Sequence, residues 1–286
     1  MMKKIFILAV GAMMMAACSN DETNAPTYVA DEGEIQLQFL HPGATRATDT
    51  QFENTDQIGV YVTAADAQLQ IGGNEVNNEL FTYNGTSWTS ARKVYWNDGT
   101  HNVYAYYPYT TSVNDIQDYS FTVQADQSTA EGYTRSDFLW AGRQDVAASA
   151  SPVSMQFAHK LTSVVVKLEK GDNYSGDIPA TTEVYIHSTV TKAVIDLSTG
   201  DAAKDDYAGT GSVKCRQVSA SEYRAIVVPQ NITTRRPLVE VISQGVSYLM
   251  EGKISLKPGY RHTITVTLDK NPEQTKIDIG GEIGNW

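Results

Sequence analysis

Glu34-Ile35-Gln36-Leu37-Gln38-Phe39 alternates strictly between polar and apolar residues. A period of two places Ile35, Leu37 and Phe39 on one face of a strand and the polar residues on the other. An apolar face needs a facing layer to cover it, so this short stretch decides the class of the fold. Directly after it, His41-Pro42-Gly43-Ala44-Thr45-Arg46-Ala47-Thr48-Asp49 consists of small, polar and turn-forming residues and ends the strand.

Toward the C-terminus the same signal recurs at short spacing. Gln57–Val62, Leu80–Tyr83, Lys93–Trp96, Val103–Tyr107 and Ser120–Val123 read as strands, as do Met155–Phe157, Thr162–Leu168, Glu183–His187 and Ala193–Leu197. Tyr223–Val228, Leu238–Ile242, Ser247–Leu249 and Thr263–Leu268 complete the series. No long segment carries an apolar stripe at helical spacing. Many short strands with Gly, Asn and Asp turns predict a mainly β chain built of sandwiches. The Ala/Ser-rich run Ala147–Pro152 reads as a linker, which predicts an N-terminal sandwich over 47–150 and a C-terminal one over 151–286. At 286 residues, 41% of them hydrophobic, the chain has enough apolar material for both cores.

Toward the N-terminus, residues 19–33 are polar and acidic and read as a tether, so 18–46 combines a tether with a strand. Before it stand two lysines, Lys3 and Lys4, and a short apolar run, Ile5 to Met15. That run is too short to span about 30 Å of hydrocarbon, and residues 1–17 read as a signal peptide. Met15-Ala16-Ala17-Cys18 resembles a lipobox, cut just before Cys18, with Met15 where Leu is more usual. Acyl chains on Cys18 contribute about 0.8 kcal/mol per buried CH₂ to membrane anchoring. Ser19-Asn20-Asp21-Glu22 resembles the acidic surface-export signal of Bacteroidetes lipoproteins.

Charge and motif content narrow the function classes. Lys and Arg number 22 against 33 Asp and Glu, a net charge of −11, which becomes −13 once Lys3 and Lys4 are removed. Such a surface repels phosphate backbones and argues against nucleic acid as a partner. The histidines, at 41, 101, 159, 187 and 262, show no ligand spacing, so no metal is expected. No nucleophile elbow and no phosphate-cradling Gly loop is present. His159 reads as a strand-end histidine with a local hydrogen bond, and Asp205-Asp206 as solvated loop carboxylates. Cys215 is the thiol left after lipidation of Cys18 and reads as structural, since no neighbour supplies a base. No catalytic residue and no cofactor are predicted.

Val103-Tyr104-Ala105-Tyr106-Tyr107-Pro108-Tyr109 is the densest aromatic stretch. Alternation sets Tyr104 and Tyr106 on one face, and that face either packs in a sheet core or stacks on sugars.

Several stretches, taken in order, resemble the fimbrillin family of Bacteroidetes, the Mfa-like and FimA-like pilins. They are Phe52-Glu53-Asn54-Thr55-Asp56-Gln57-Ile58-Gly59-Val60-Tyr61, Trp88 ahead of Val94-Tyr95-Trp96, the Val103–Tyr109 run, Asp137-Phe138-Leu139-Trp140-Ala141 and Phe157-Ala158-His159-Lys160-Leu161. The resemblance implies two tandem transthyretin-like β-sandwiches and a lipoprotein precursor on the outer membrane. It further implies trimming by an arginine-specific protease, assembly with other pilin subunits into a cell-surface fimbrium by donor-strand exchange, and adhesion to a host or bacterial receptor.

The residues themselves offer places for these steps. Arg46 lies in Pro42–Gln51, a stretch without large apolar residues and so suited to an extended, accessible backbone. Arg46 is then either an ordinary loop residue or, with the resemblance, a site where the Arg46–Ala47 bond is cut, detaching the lipid, the tether and the Ile35/Leu37/Phe39 strand. Removing that strand opens an apolar groove with unpaired backbone groups that seeks a replacement. The C-terminal stretch Thr275–Trp286 alternates at Ile277 and Ile279, then presents Ile283 and Trp286 after Gly280-Gly281. It serves either as a donor strand or as an edge strand of its own domain. A second reading of the whole chain is a permanently anchored, glycan-binding surface lipoprotein that uses Tyr104 and Tyr106.

Overall fold

The computed structural model describes residues 33–42, 51–284 and 286. In chain order the strands are β1 (Leu37–Leu40), β2 (Gln57–Ala64), β3 (Val76–Tyr83), β4 (Trp88–Ser90), β5 (Thr100–Tyr107), β6 (Tyr119–Thr122), β7 (Leu139–Ala147), β8 (Val153–Gln156), β9 (Ala158–His159) and β10 (Thr162–Lys170). They continue with β11 (Glu183–Val190), β12 (Lys192–Asp196), β13 (Asp201–Lys204), β14 (Thr210–Lys214), β15 (Arg216–Ser219), β16 (Glu222–Val227), β17 (Gln230–Ser243), β18 (Val246–Leu256), β19 (Tyr260–Leu268) and β20 (Lys276–Gly284). A single α-helical turn, Ala130–Thr134, is capped by the Thr129 hydroxyl, which accepts from the Gly132 amide. The mainly β expectation holds because the alternating runs are too short, and too rich in β-branched and aromatic residues, to form helices.

Two cores organise these strands. The six-stranded sheet β4-β3-β2-β5-β7-β9 buries Ile58, Val60, Val62, Val103, Ala105, Leu139 and Ala141 in the first. The parallel pair β1-β8 contributes Leu37, Phe39, Val153 and Met155 to that core. Tyr61, Tyr104 and Tyr106, which alternate with the first set along β2 and β5, belong to the second core. That core extends through the five-stranded sheet β15-β16-β10-β19-β20 and the four-stranded sheet β14-β11-β17-β18. Inward residues such as Val164, Val166, Ile264 and Val266 meet Val184, Ile186, Val239 and Val241 there.

Three expectations need revision. The Ala147–Pro152 run, read as an interdomain linker, joins β7 to β8, and both strands line the first core. Composition marks a segment as loop but not which strands it connects. The residue-150 boundary is also crossed by a ladder, because β6 pairs antiparallel with β12, matching Phe121 to Ala193. Lys93–Trp96 forms no regular strand; Tyr95 makes an isolated antiparallel bridge to Glu34.

Candidate functional site

The strand read from Glu34–Phe39 is held by both edges. At its start, the Ile35 amide donates to Val94 O at 2.8 Å and the Trp96 amide donates to Gly33 O at 2.9 Å. Farther along, the opposite edge is taken by β8: the Val153 amide donates to Gln36 O and the Phe157 amide to Leu40 O, each at 2.9 Å. The switch of edge follows from strand geometry, since successive residues point their amides to opposite sides. The Gln156 side-chain amide adds a 3.0 Å bond to His41 O.

Alternation then aims the odd-numbered side chains inward. Ile35, Leu37 and Phe39 are 4%, 8% and 5% exposed. Phe39 sits among Phe81, Trp88 and Phe157, with ring centroids 5.7, 5.3 and 5.8 Å away. Burying three such side chains contributes about 1.5–3 kcal/mol each. Glu34 is also buried, and its carboxylate lies 3.5 Å from Lys93 Nζ.

The C-terminal strand has a different setting. β20 pairs antiparallel with β19 and ends the five-stranded sheet. The ladder slips by one residue between His262 and Thr263, opposite Gly281, whose φ of +70° places it in the left-handed region natural to glycine. Ile277 packs against the second core, whereas Ile279 is 36% and Ile283 55% exposed. Beyond the strand, Trp286 is buried again. Its indole stacks on His159 with centroids 3.8 Å apart and planes 13° from parallel. The Trp286 amide donates to Gly259 O at 3.4 Å, Nε1 donates to Leu161 O at 3.5 Å, and the Arg261 guanidinium lies 5.6 Å over the ring.

Electrostatics support this docking modestly. Lys257 Nζ lies 2.6 Å from Glu282 Oε2. That hydrogen bond holds the Glu282 carboxyl below, and the Lys257 ammonium above, their usual ranges. Burial lowers His262, and its Nε2 accepts from the Lys257 amide, which suits the neutral ring. The Nδ1 of His159 meets Asp137 Oδ1 at 3.0 Å, so its partner comes from the segment leading into β7 rather than from its own strand end.

Other sequence-selected residues resolve into structural roles. Tyr104 and Tyr106 are 6% and 1% exposed, and Tyr106 stacks near Tyr61 and Phe138. Their face is packed inside the second core, so the sugar-stacking alternative for it is corrected: β6 and the Phe138 segment cover it. Cys215 is buried, and desolvation pushes its thiol far above the ordinary range. Asp205 pairs with Lys192 at 2.9 Å and Asp206 with Lys204. Among the described residues no cluster of His, Cys, Asp and Glu can hold a metal, and no helix is long and apolar enough to cross a membrane. Cys18, Arg46 and Ala47, with the signal peptide and most of the tether, lie outside the described residues.

One partner of the docked strand was not legible in the sequence: His159 has no motif linking it to Trp286. The only hint was an aromatic residue following an alternating, glycine-broken strand.

A family model described as fimbrillin-like matches residues 45–286. The chain belongs to the fimbrillin-like family. As a fimbrillin-like protein it is structural and non-enzymatic. A Bacteroides ovatus protein named as a fimbrium tip subunit is 28% identical over 190 residues, covering 58% of this chain. The match takes in only 34% of that protein's length. A Bacteroides uniformis protein named as a fimbrium subunit is 24% identical over 305 residues, covering 100% of this chain and 96% of the relative. Among solved structures, a cell adhesion protein from Bacteroides ovatus superposes with a TM-score of 0.70 at 20% identity, covering 87% of this chain and 95% of that one. Another from Bacteroides uniformis gives 0.68 at 20% identity, with coverages of 88% and 98%. At such identities the likeness establishes the fold alone.

Proposed function

We propose that this fimbrillin-like chain is a structural and adhesive subunit of a cell-surface fimbrium. It reaches the outer membrane as a precursor acylated on Cys18 and is cut after Arg46 by an arginine-specific protease. The two cores then act as sandwich bodies in series, and subunits polymerise by donor-strand exchange, with receptor contact as the adhesive output. The observation that carries this reading is the burial of Ile35, Leu37 and Phe39 in a strand only a few residues before Arg46. Once that strand leaves, Phe81, Trp88, Phe157, Met155 and Val153 face water, and the edge of β8 loses its partner. The system lowers its free energy by seating another strand of the same alternation. Ile277 and Ile279 of a second copy, followed by Ile283 and Trp286, offer that pattern.

N-terminal sequencing of the surface-assembled form tests the cut. A start at Ala47 is expected, and any other start overturns the processing step. The Arg46→Ala chain should retain its lipid and remain monomeric; an unchanged polymer ladder would overturn exchange through this strand.

A further inference from the structure

A strand that is to be donated must first leave its own sheet, so whatever holds β20 governs assembly. β20 is bonded on one edge, is interrupted at Gly281, and exposes Ile279 and Ile283. Its side-chain anchors are Ile277 and, past the strand, Trp286. The hydrogen bonds from the Trp286 amide and from its Nε1 are long, at 3.4 and 3.5 Å, so the parallel stack on His159, with centroids 3.8 Å apart, is a principal hold on the indole.

His159 in turn stands on β9, which is laddered to β7 and directly follows the segment that β1 holds. It lies two residues past Phe157, whose amide donates to Leu40 O, and three past Gln156, whose side chain bonds Leu40 O and His41 O. The His41 ring also meets the His159 ring edge to face, with centroids 5.8 Å apart and planes at 78°. Through Nδ1 His159 is tied to Asp137. Two ring contacts, His41 on His159 and His159 on Trp286, thus join the segment after β1 to the residue after β20.

We propose that the successive His41–His159 and His159–Trp286 ring contacts couple β1 to β20: a seated β1 clamps Trp286, and departure of β1 loosens the C-terminal strand. The coupling rests on the reading of β1 as a removable plug, and it adds a control that the plug itself does not supply. While β1 is seated, the groove is filled and the tail is latched, so neither half of an exchange is available. When β1 leaves, the groove opens and His159 loses both its edge-to-face neighbour and the brace on β8. Asp137 and the β9–β7 ladder still hold His159, so the tail is loosened rather than ejected. Coupling between two sites is reciprocal, so loss of Trp286 must also weaken the hold on β1.

Hydrogen exchange on the full, uncut chain tests this, with β17 as a reference for global folding. In Leu37→Asp/Phe39→Asp, which unseats β1 without any cleavage, amides of 276–284 should exchange about fivefold faster, the change expected for loss of one aromatic pair. His41→Ala should give a smaller acceleration in the same segment. Trp286→Ala should accelerate exchange at 37–40. Unchanged exchange at 276–284 with β17 protection intact overturns the coupling. If the double variant loses β17 protection, His41→Ala and Trp286→Ala decide: no change at 276–284 in the former and none at 37–40 in the latter overturns it equally. None of these measurements needs processing or polymer. A surface form beginning elsewhere than Ala47 would sink the assembly mechanism and leave the coupling standing, whereas normal processing with an unresponsive β20 would sink the coupling alone.

Discussion

β1 and β20 have the same alternation in sequence and opposite surroundings in the fold. The stretch from Gly33 through β1 lies between the Val94–Trp96 segment and β8 and turns Ile35, Leu37 and Phe39 into the first core, leaving Leu40 at its end exposed. β20 lies at the end of a sheet, bonded to β19 alone, with Ile279 and Ile283 partly in water. The contrast teaches that an apolar alternation states what a strand can cover, while its neighbours decide how much of it is covered. A strand with its alternate side chains buried makes a stable plug; one whose apolar face is partly in water can be released at modest cost.

The largest effect expected from this contrast is at Phe39. Phe39→Ala should destabilise the uncut chain by about 3–5 kcal/mol, since it empties the space among Phe81, Trp88 and Phe157. Ile283→Ala in β20 should stay within about 0.5 kcal/mol of the parent. Denaturant titration of the two variants side by side checks the pair, and equal losses would break the comparison. Next comes Trp286→Ala, which should cost about 2 kcal/mol in local opening of the tail, seen as faster proteolysis after β19 with little change in the global midpoint. A smaller change is expected at the bulge. Gly281→Ala should cost about 1 kcal/mol, because a side chain is strained at φ +70° although the nearest neighbour, Thr263 Cβ, is 3.8 Å from the added carbon. The smallest belongs to Lys257→Ala, which removes an exposed ion pair with Glu282. Its slight effect on tail exchange should vanish in molar salt, and an effect that survives would assign Lys257 a packing role.

Legibility in the sequence followed the range of the interaction. Ile35, Leu37 and Phe39 were readable as one buried face because their spacing is local. β2, β5, β10, β12 and β19 emerged near their observed limits for the same reason. In β17 only Leu238–Ile242 was readable, because the first half, Gln230–Arg236, alternates weakly and Pro237 precedes a bulge. Tyr104 and Tyr106 were placed on the correct common face, yet nothing within ten residues says that this face is covered. The cover includes β6, itself paired with β12 some seventy residues later. The Ala147–Pro152 loop was readable as a loop and misread as a boundary, since composition does not record which strands share a core.

Local spacing therefore settled most of the strand content, the inward face of β1, the sorting of β5 side chains onto two faces and the order of segments that resemble fimbrillins. Only the folded chain decided that the Gly33–Leu40 stretch is gripped first on one edge and then on the other, that Tyr104 and Tyr106 are sealed from solvent, and that Trp286 returns to stack on His159. The reason is physical: side-chain period is set by backbone geometry within a few residues. Burial and ring contact depend on which distant segments arrive opposite, a choice made by the free energy of the whole core.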